Sequence, residues 1–341
     1  MPSVDVAIPC YQYGRYLRDG VTSVLRQGFE DVRVLIIDNA STDNSLEIAR
    51  GLSKEDSRIQ VAAHSRNLGH LTSFNEGIEW ARADYFMILC ADDLVAPGAF
   101  KRAISVMEVH PDINLTFGRE FTLFADFPVP DIDQSNSSLD WRLLTNHALL
   151  QRLCETGRPD ASRFMIPGTT ALVRTSAQKR VGHYKDYLPH TSDLDMWLRF
   201  GCIGGAAETT AIQGIRRVHP LNRSASLHDC HSWNLHWAAA FDTFFKEQGA
   251  SLANASRLHR TARRALAERA YWGVASNLLR GDLALSFKLL LFALTRCPAM
   301  MMLPPVGYLL RQEDTAERVA NVLSTVTLPW RTFLNRPVDE H

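Results

Sequence analysis

In this 341-residue chain the residues best suited to chemistry are Cys90-Ala91-Asp92-Asp93. Two adjacent carboxylates close an apolar run, Tyr85-Phe86-Met87-Ile88-Leu89, and a helix-like stretch follows from Pro97. Apolar runs of that length read as buried central strands. In an open α/β sheet, ligands bind beyond the carboxyl ends of the strands. Paired carboxylates there suit a divalent cation carrying a diphosphate. The plain alternative is a solvated turn ahead of Pro97-Gly98.

Three other polar segments each follow an apolar run in the same way: Pro9-Cys10-Tyr11, Asp38-Asn39-Ala40-Ser41-Thr42-Asp43 and Ser65-Arg66-Asn67-Leu68-Gly69. If the runs form a parallel sheet, all four segments share one edge, where such sheets bind nucleotides. Tyr11 offers a ring for stacking on a base. Asp38 is an acceptor for an imide N–H such as that of uracil. Arg66 suits phosphate oxygens. Asp92 and Asp93 can divide a ribose hydroxyl and a metal between them. Each residue taken singly also reads as a turn former or a surface group, and it is the coincidence of four on one edge that favours a site. Gly-x-Gly-x-x-Gly is absent after the first run, as is a Gly-Lys-Ser/Thr loop, which lowers dinucleotide enzymes and P-loop NTPases.

The elements that must position these groups follow from periodicity. Strands are expected at Val4–Ile8, Val32–Ile37, Ile59–Ala63, Tyr85–Leu89 and Leu115–Gly118. Helices are expected over Tyr16–Gln27, closed by Gly28, and over Ser45–Leu52, capped by Asp43. Two more are marked by Leu71, Phe74, Ile78 and Ala81, and by Phe100, Ile104 and Met107. Alternation at this spacing implies an α/β fold: a mostly parallel, Rossmann-like sheet with right-handed crossovers and helices on both faces. Residues 127–139 read as a long surface loop, a mixed region extends to Ser226, and the chain looks helical from His231.

Lys+Arg and Asp+Glu both total 37, so no global charge points to nucleic acid. The hydrophobic fraction of 46% and charged fraction of 22% suit a soluble globular protein. From Ala250 onward, 12 Lys/Arg face 7 Asp/Glu, an asymmetry that suits an anionic surface. The six cysteines are scattered without a Cys-x-x-Cys pair, which favours neither a zinc site nor a disulfide framework. A cytoplasmic location is the expectation, with attachment at the inner face of the cell membrane left open. The chain starts without a charged-then-apolar leader, and Phe287–Leu310 is too interrupted for a transmembrane helix.

Taken in order, Val6-Ala7-Ile8-Pro9-Cys10-Tyr11, Ile37-Asp38-Asn39-Ala40-Ser41-Thr42-Asp43, Arg66-Asn67-Leu68-Gly69 and Ala91-Asp92-Asp93 resemble the motifs of family 2 glycosyltransferases of the GT-A fold. Asp193-Leu194-Asp195-Met196-Trp197-Leu198-Arg199, preceded by Gly168–Arg174, resembles the family's E-D-x-x-L-W-L-R segment. Arg216-Arg217-Val218-His219, with Arg223 and Ser226, is similar to its Y-R-x-H…S segment. The likeness covers roughly residues 4–225 and implies a catalytic domain over 1–228, leaving 229–341 as a helical region. It also implies inverting transfer of a sugar from a nucleotide diphosphate donor, UDP-linked by preference. The acceptor would be a hydroxyl of a glycan or lipid-linked oligosaccharide, in surface polysaccharide synthesis.

By position, the resemblance gives Pro9, Tyr11 and Asp38 to the base, Arg66 to the nucleotide, and Asp92 to the ribose or metal. Asp93 and His219 would hold Mn²⁺ or Mg²⁺, and Asp193 would be the general base. Thr169, Arg217 and Arg223, with Asp92, fall on the donor-sugar or acceptor side.

Two positions depart from the pattern. Cys90 replaces the first carboxylate of D-x-D-D, and Ser192 replaces the glutamate beside Asp193. They keep a nucleotide-sugar-binding scaffold in view as a rival. A nucleotidyltransferase is disfavoured by the missing glycine-rich phosphate loop. Asp195 reads as structural, complementing a helix N-terminus. Arg257, Arg260, Arg263, Arg264 and Arg269, with the apolar 289–310 stretch, suggest either an anionic membrane surface, a packed helical subdomain or a homodimer face.

Overall fold

A computed structural model of the chain describes residues 2–124, 127–129, 132, 140–156, 165–220, 222, 230–301 and 305. Most of the expected 127–139 loop and Arg223 lie outside the described residues.

The first half alternates strand and helix much as the periodicity predicts: β1 (Val4–Cys10), α1 (Gly14–Leu25), β2 (Val32–Asp38), α2 (Ser45–Glu55), β3 (Ile59–Ala63), α3 (His70–Trp80) and β4 (Tyr85–Ile88). A two-residue β5 (Leu94–Val95) leads into α4 (Ala99–Val109) and then β6 (Ile113–Phe124). The expected strand at 115–118 thus lies in the first half of a 12-residue one. The second half runs β7 (Trp141–Leu144), α5 (Asn146–Cys154), β8 (Leu172–Arg174), α6 (Thr175–Val181), α7 (Ser192–Ile203), β9 (Gly205–Val218), α8 (Cys230–Lys246), α9 (Ala255–Leu279) and α10 (Leu283–Arg296).

Among the described residues the strands form one sheet in the order β3-β2-β1-β4-β8-β6-β9-β5, with β7 also on β9. β3, β2, β1 and β4 pair in parallel. β8 runs antiparallel to both β4 and β6, and β6 is parallel to β9. Six strands therefore share one direction, while β5, β7 and β8 oppose it. The chain moves outward from β1 through β2 to β3, then crosses back to place β4 on the other side of β1. That reversal leaves a crevice at the carboxyl ends of β1 and β4.

Alternation builds two apolar layers. Val4, Val6 and Ile8 of β1, with Tyr85 and Met87 of β4, pack against α1, α2 and α4. Ala7 and Phe86 face the other way, toward α3, α5 and α7. On that side a Cβ added at Gly77 would lie 2.4 Å from the Ala7 Cβ, so only glycine lets α3 seat so closely on β1. The second layer continues without a break into Trp237, Phe241, Phe244, Leu258 and Leu266 of α8 and α9. One apolar cluster thus crosses the division expected near residue 228.

Candidate functional site

The carboxyl edge of β1, β2 and β4 carries the polar loops. Cys10 is in register with Asp38, and Ala7 with Ile88. Asp38 is buried at the end of β2, and its Oδ2 accepts the backbone N–H of Ser41. Its Oδ1 is buried with no hydrogen-bond partner. A buried acceptor left unpaired is costly, and such sites are commonly completed by a ligand donor. Around it, Asn39 Oδ1 accepts from the Leu68 N–H and lies 2.9 Å from His64 Nδ1, while Asn39 Nδ2 donates to Asn67 Oδ1. These bonds hold the Arg66–Gly69 loop beside β2. Arg66 itself is exposed, Pro9 is half-buried and the Tyr11 ring is 43% exposed. Asp43, expected to cap α2, stands one residue before the N-cap Asn44 and instead accepts from the Ser45 and Gly14 N–H groups, fastening the first turns of α1 and α2 together.

The Asp92-Asp93 turn is clamped from the far end of the chain. Arg217, near the end of β9, donates its backbone N–H to Asp93 Oδ1 at 3.0 Å and its Nε to the Asp92 carbonyl at 3.1 Å. Its guanidinium also reaches Asp19 Oδ2 and lies 4.7 Å over the Tyr16 ring. His219 Nε2 is 3.1 Å from Asp92 Oδ2, which also accepts from Asn222 Nδ2. The His219 ring is packed between Tyr13 and Tyr16. Both carboxylates are 6% exposed. Burial, and then the charge of Asp92, hold the Asp93 carboxyl well above the usual carboxylate range. Burial raises Asp92 as well, partly offset by His219 and Arg217.

Cys90, Asp92 and Asp93 each offer a ligand atom, all within 4.8 Å of one another. His219 is not in that group. It holds Asp92 from behind.

Beyond the turn opens a cavity of about 520 Å³, lined among others by Asp93, Glu120, Thr169, Asp193, Arg216 and Trp233. Asp193 stands exposed in the first turn of α7. Its carboxylate accepts from the buried Tyr184 hydroxyl, whose ionisation is pushed far up by burial and by the Asp193 charge. A Cβ on Gly168 would be 4.0 Å from Asp193 Oδ2, so the carboxylate faces the 3-10 turn Gly168–Thr170. There Thr169 donates to Glu120, and Glu120 pairs with Arg216 at 2.8 Å.

The cavity thus joins Asp93, Thr169 and Asp193. Pro9, Tyr11, Asp38 and Arg66 lie along the neighbouring strand ends. Arg217 was expected on the sugar side, yet strand alternation sends it behind the turn and turns Arg216 into the cavity.

The Glycosyl transferase family 2 profile matches residues 5–176. The chain belongs to glycosyltransferase family 2. An uncharacterized glycosyltransferase of Haemophilus influenzae is 26% identical over 215 residues, covering 61% of this chain and 64% of that protein. This chain spans less than two thirds of the length of that relative and of others it matches. Two solved structures share the fold. S. aureus TarS (residues 1–349, in complex with UDP-GlcNAc) superposes with a TM-score of 0.60 at 16% identity, covering 86% of this chain and 79% of that one. The mannosyltransferase PcManGT of Pyrobaculum calidifontis, in complex with GDP-Man and Mn²⁺, gives 0.55 at 15% identity, covering 97% and 83%.

Several supports of the site in this family 2 chain carry no sequence signal. Tyr184, Glu120, Asp19 and Tyr16 reach the site only through tertiary contact. Asp195 does more than complement a helix end. It is fully buried and accepts from Lys185 Nζ at 3.0 Å and Arg199 Nε at 2.8 Å. Arg199 in turn donates to the Val181 and His183 carbonyls, tying α6 to α7 beneath Asp193. Removing one member of a buried ion pair strands the others. Asp195→Ala is therefore expected to cost about 3–5 kcal/mol in urea denaturation, whereas Asp193→Ala, which strands only the buried Tyr184 hydroxyl, should cost less, about 1–3 kcal/mol.

Proposed function

We propose that the chain is a metal-dependent inverting glycosyltransferase that moves a sugar from a nucleotide diphosphate donor, UDP-linked by preference, to a hydroxyl of a glycan or lipid-linked oligosaccharide in surface polysaccharide synthesis. The observation that carries the reading is that Asp93 and Asp193 line one cavity at the strand edge where Asp38 keeps an unpaired acceptor. That TarS and PcManGT were both solved with nucleotide diphosphate sugars supports it.

In this reading Asp38 Oδ1 accepts the imide N–H of the base, Tyr11 stacks on it, and Pro9 shapes the wall. Arg66 lies along the phosphates. Two buried carboxylates that repel each other suit one divalent cation, Mn²⁺ or Mg²⁺, which Asp93 would hold with Asp92 alongside, whereas the soft Cys90 thiol is a poor ligand for either ion. Such a cation offsets the charge that develops on the departing diphosphate. His219 and Asn222 orient Asp92 rather than ligate. Oriented hydrogen bonds of that kind tune a metal site from behind its ligands.

The acceptor oxygen attacks the anomeric carbon in line as the bond to the diphosphate oxygen breaks. The hydroxyl proton passes to the Asp193 carboxylate, and the anomeric configuration inverts in that single displacement. Tyr184 aims that carboxylate, and Glu120, Arg216 and Thr169 line the space for the sugars.

The test is a thermal-shift panel of uridine, thymidine and guanosine diphosphates with Mn²⁺. Uridine or thymidine diphosphate should stabilise the protein most. Asp38→Asn replaces an acceptor aimed at N–H by a group that presents donors as well, so it should weaken that binding by about 10–100-fold. Equal stabilisation by all three bases, unchanged in Asp38→Asn, would remove the base assignment.

A further inference from the structure

We propose that the outer face of the α9–α10 hairpin is a docking surface for an anionic lipid membrane, a binding function separate from the sugar-transfer cavity. Leu283, Phe287 and Leu291 recur every four residues along α10 and are 69%, 68% and 55% exposed. Leu279, at the end of α9, extends the same tip and is 58% exposed. The opposite side of α10 is already satisfied: Leu289, Phe292 and Ala293 are buried in the shared core. Among the described residues the exposed apolar surface here is a stripe on one helix, and most of 302–310 in the expected 289–310 stretch lies outside them. Large apolar side chains in such a row mark a contact surface.

What covers the stripe is indicated by charge. Residues 255–301 carry eight Lys/Arg and two Asp/Glu. The stripe continues to Thr295, whose carbonyl accepts from Arg263. Arg263 lines a cavity of about 620 Å³ with Ser256, His259, Arg260, Arg264 and Arg296. The Nε of Arg263 is buried with no hydrogen-bond partner. Arg296 and His259 are occupied by Asp242, and Arg264 contacts Glu268. Arg269 belongs elsewhere, over the Trp237 ring. A basic hollow at one end of an exposed apolar stripe matches a headgroup phosphate with acyl chains beside it. A second copy of this chain would bring the same positive charge against itself. No described helix is long and apolar enough to cross a membrane, so contact is at the surface.

The test is co-sedimentation of the full chain with phosphatidylcholine vesicles, with and without phosphatidylglycerol. Wild type should pellet with the anionic vesicles only, and less as salt rises. Leu283→Asp/Phe287→Asp should abolish pelleting. Arg260→Glu, which changes the hollow by two charges, should weaken it by at least about tenfold. All these side chains are at the surface, so uridine diphosphate binding and thermal melting should stay at wild-type values and certify the fold. Equal pelleting with neutral vesicles, or unchanged pelleting of either variant, overturns the proposal. So does a wild-type dimer in light scattering that Phe287→Asp dissociates without any lipid-dependent pelleting, which would assign the stripe to self-association.

Discussion

Asp193→Asn is expected to lower sugar transfer by about 10²–10⁴-fold, the usual contribution of a positioned general base, with donor affinity unchanged. The substitution keeps size and shape but removes the group that, in the proposed mechanism, takes the acceptor proton. Asp193 is exposed to the cavity, and it faces Gly168 and the Tyr184 hydroxyl. Its loss should therefore appear in kcat and leave nucleotide binding alone. The neighbouring departure, Ser192, is 5% exposed and buried away from solvent. A carboxylate missing there is missing from the packed side of α7, which is why Asp193 alone is expected to suffice. The measurement is steady-state transfer with donor and acceptor varied separately. Turnover at the wild-type level in the Asn variant would falsify the base assignment.

The second large effect is at Asp93. Two carboxylates buried side by side repel, and Asp93 is held well above the usual carboxylate range by burial and by Asp92. Asp93→Asn should therefore melt at a higher temperature than wild type when both are stripped of metal. Added Mn²⁺ should reverse the ranking. A cation at a hundredfold excess over its Kd stabilises by about 2.7 kcal/mol, which for a chain of this size is a rise of about 5 °C. That rise should be absent in Asp93→Asn, and its transfer activity should match that of EDTA-treated wild type. Melting by calorimetry across an Mn²⁺ series checks both halves. A wild-type melting point indifferent to Mn²⁺ and Mg²⁺, with transfer indifferent to EDTA, would mean that this pair serves another purpose.

Much of the nucleotide edge was legible because its residues follow directly on apolar strands. Asp38, Arg66 and Asp92-Asp93 each close or follow a βα turn, and position alone brings them to one edge. Asp193 was different. Its segment reads as an ordinary helix start, and only resemblance to family motifs marked it. The second half of the sheet was harder. β8 has three residues and β5 two, too few for any period to show. β6 was cut short at Gly118 because Arg119 and Glu120 interrupt its apolar pattern, yet Glu120 is polar for the reason that it faces the cavity. The choice between Arg216 and Arg217 depends on strand phase, which two adjacent arginines do not disclose. On α10, the exposed stripe and the buried stripe both carry leucine and phenylalanine, so composition could not separate them.

The clamp on the Asp92-Asp93 turn has a consequence for how the protein comes into being. Arg217 closes on Asp93 from 124 positions downstream and on Asp19 from 198. Loops of that length close late, because their entropy is lost before their contacts form. A nascent chain emerges from the ribosome amino end first, so β1 to β4 are outside long before β9 exists. Until β9 is threaded beside β6, the Asp93 carboxylate lacks its backbone N–H donor and the Asp92 carbonyl its guanidinium donor. On the proposed function, activity arrives with the last strand, and an N-terminal fragment that already has β1 to β4 is expected to be catalytically silent.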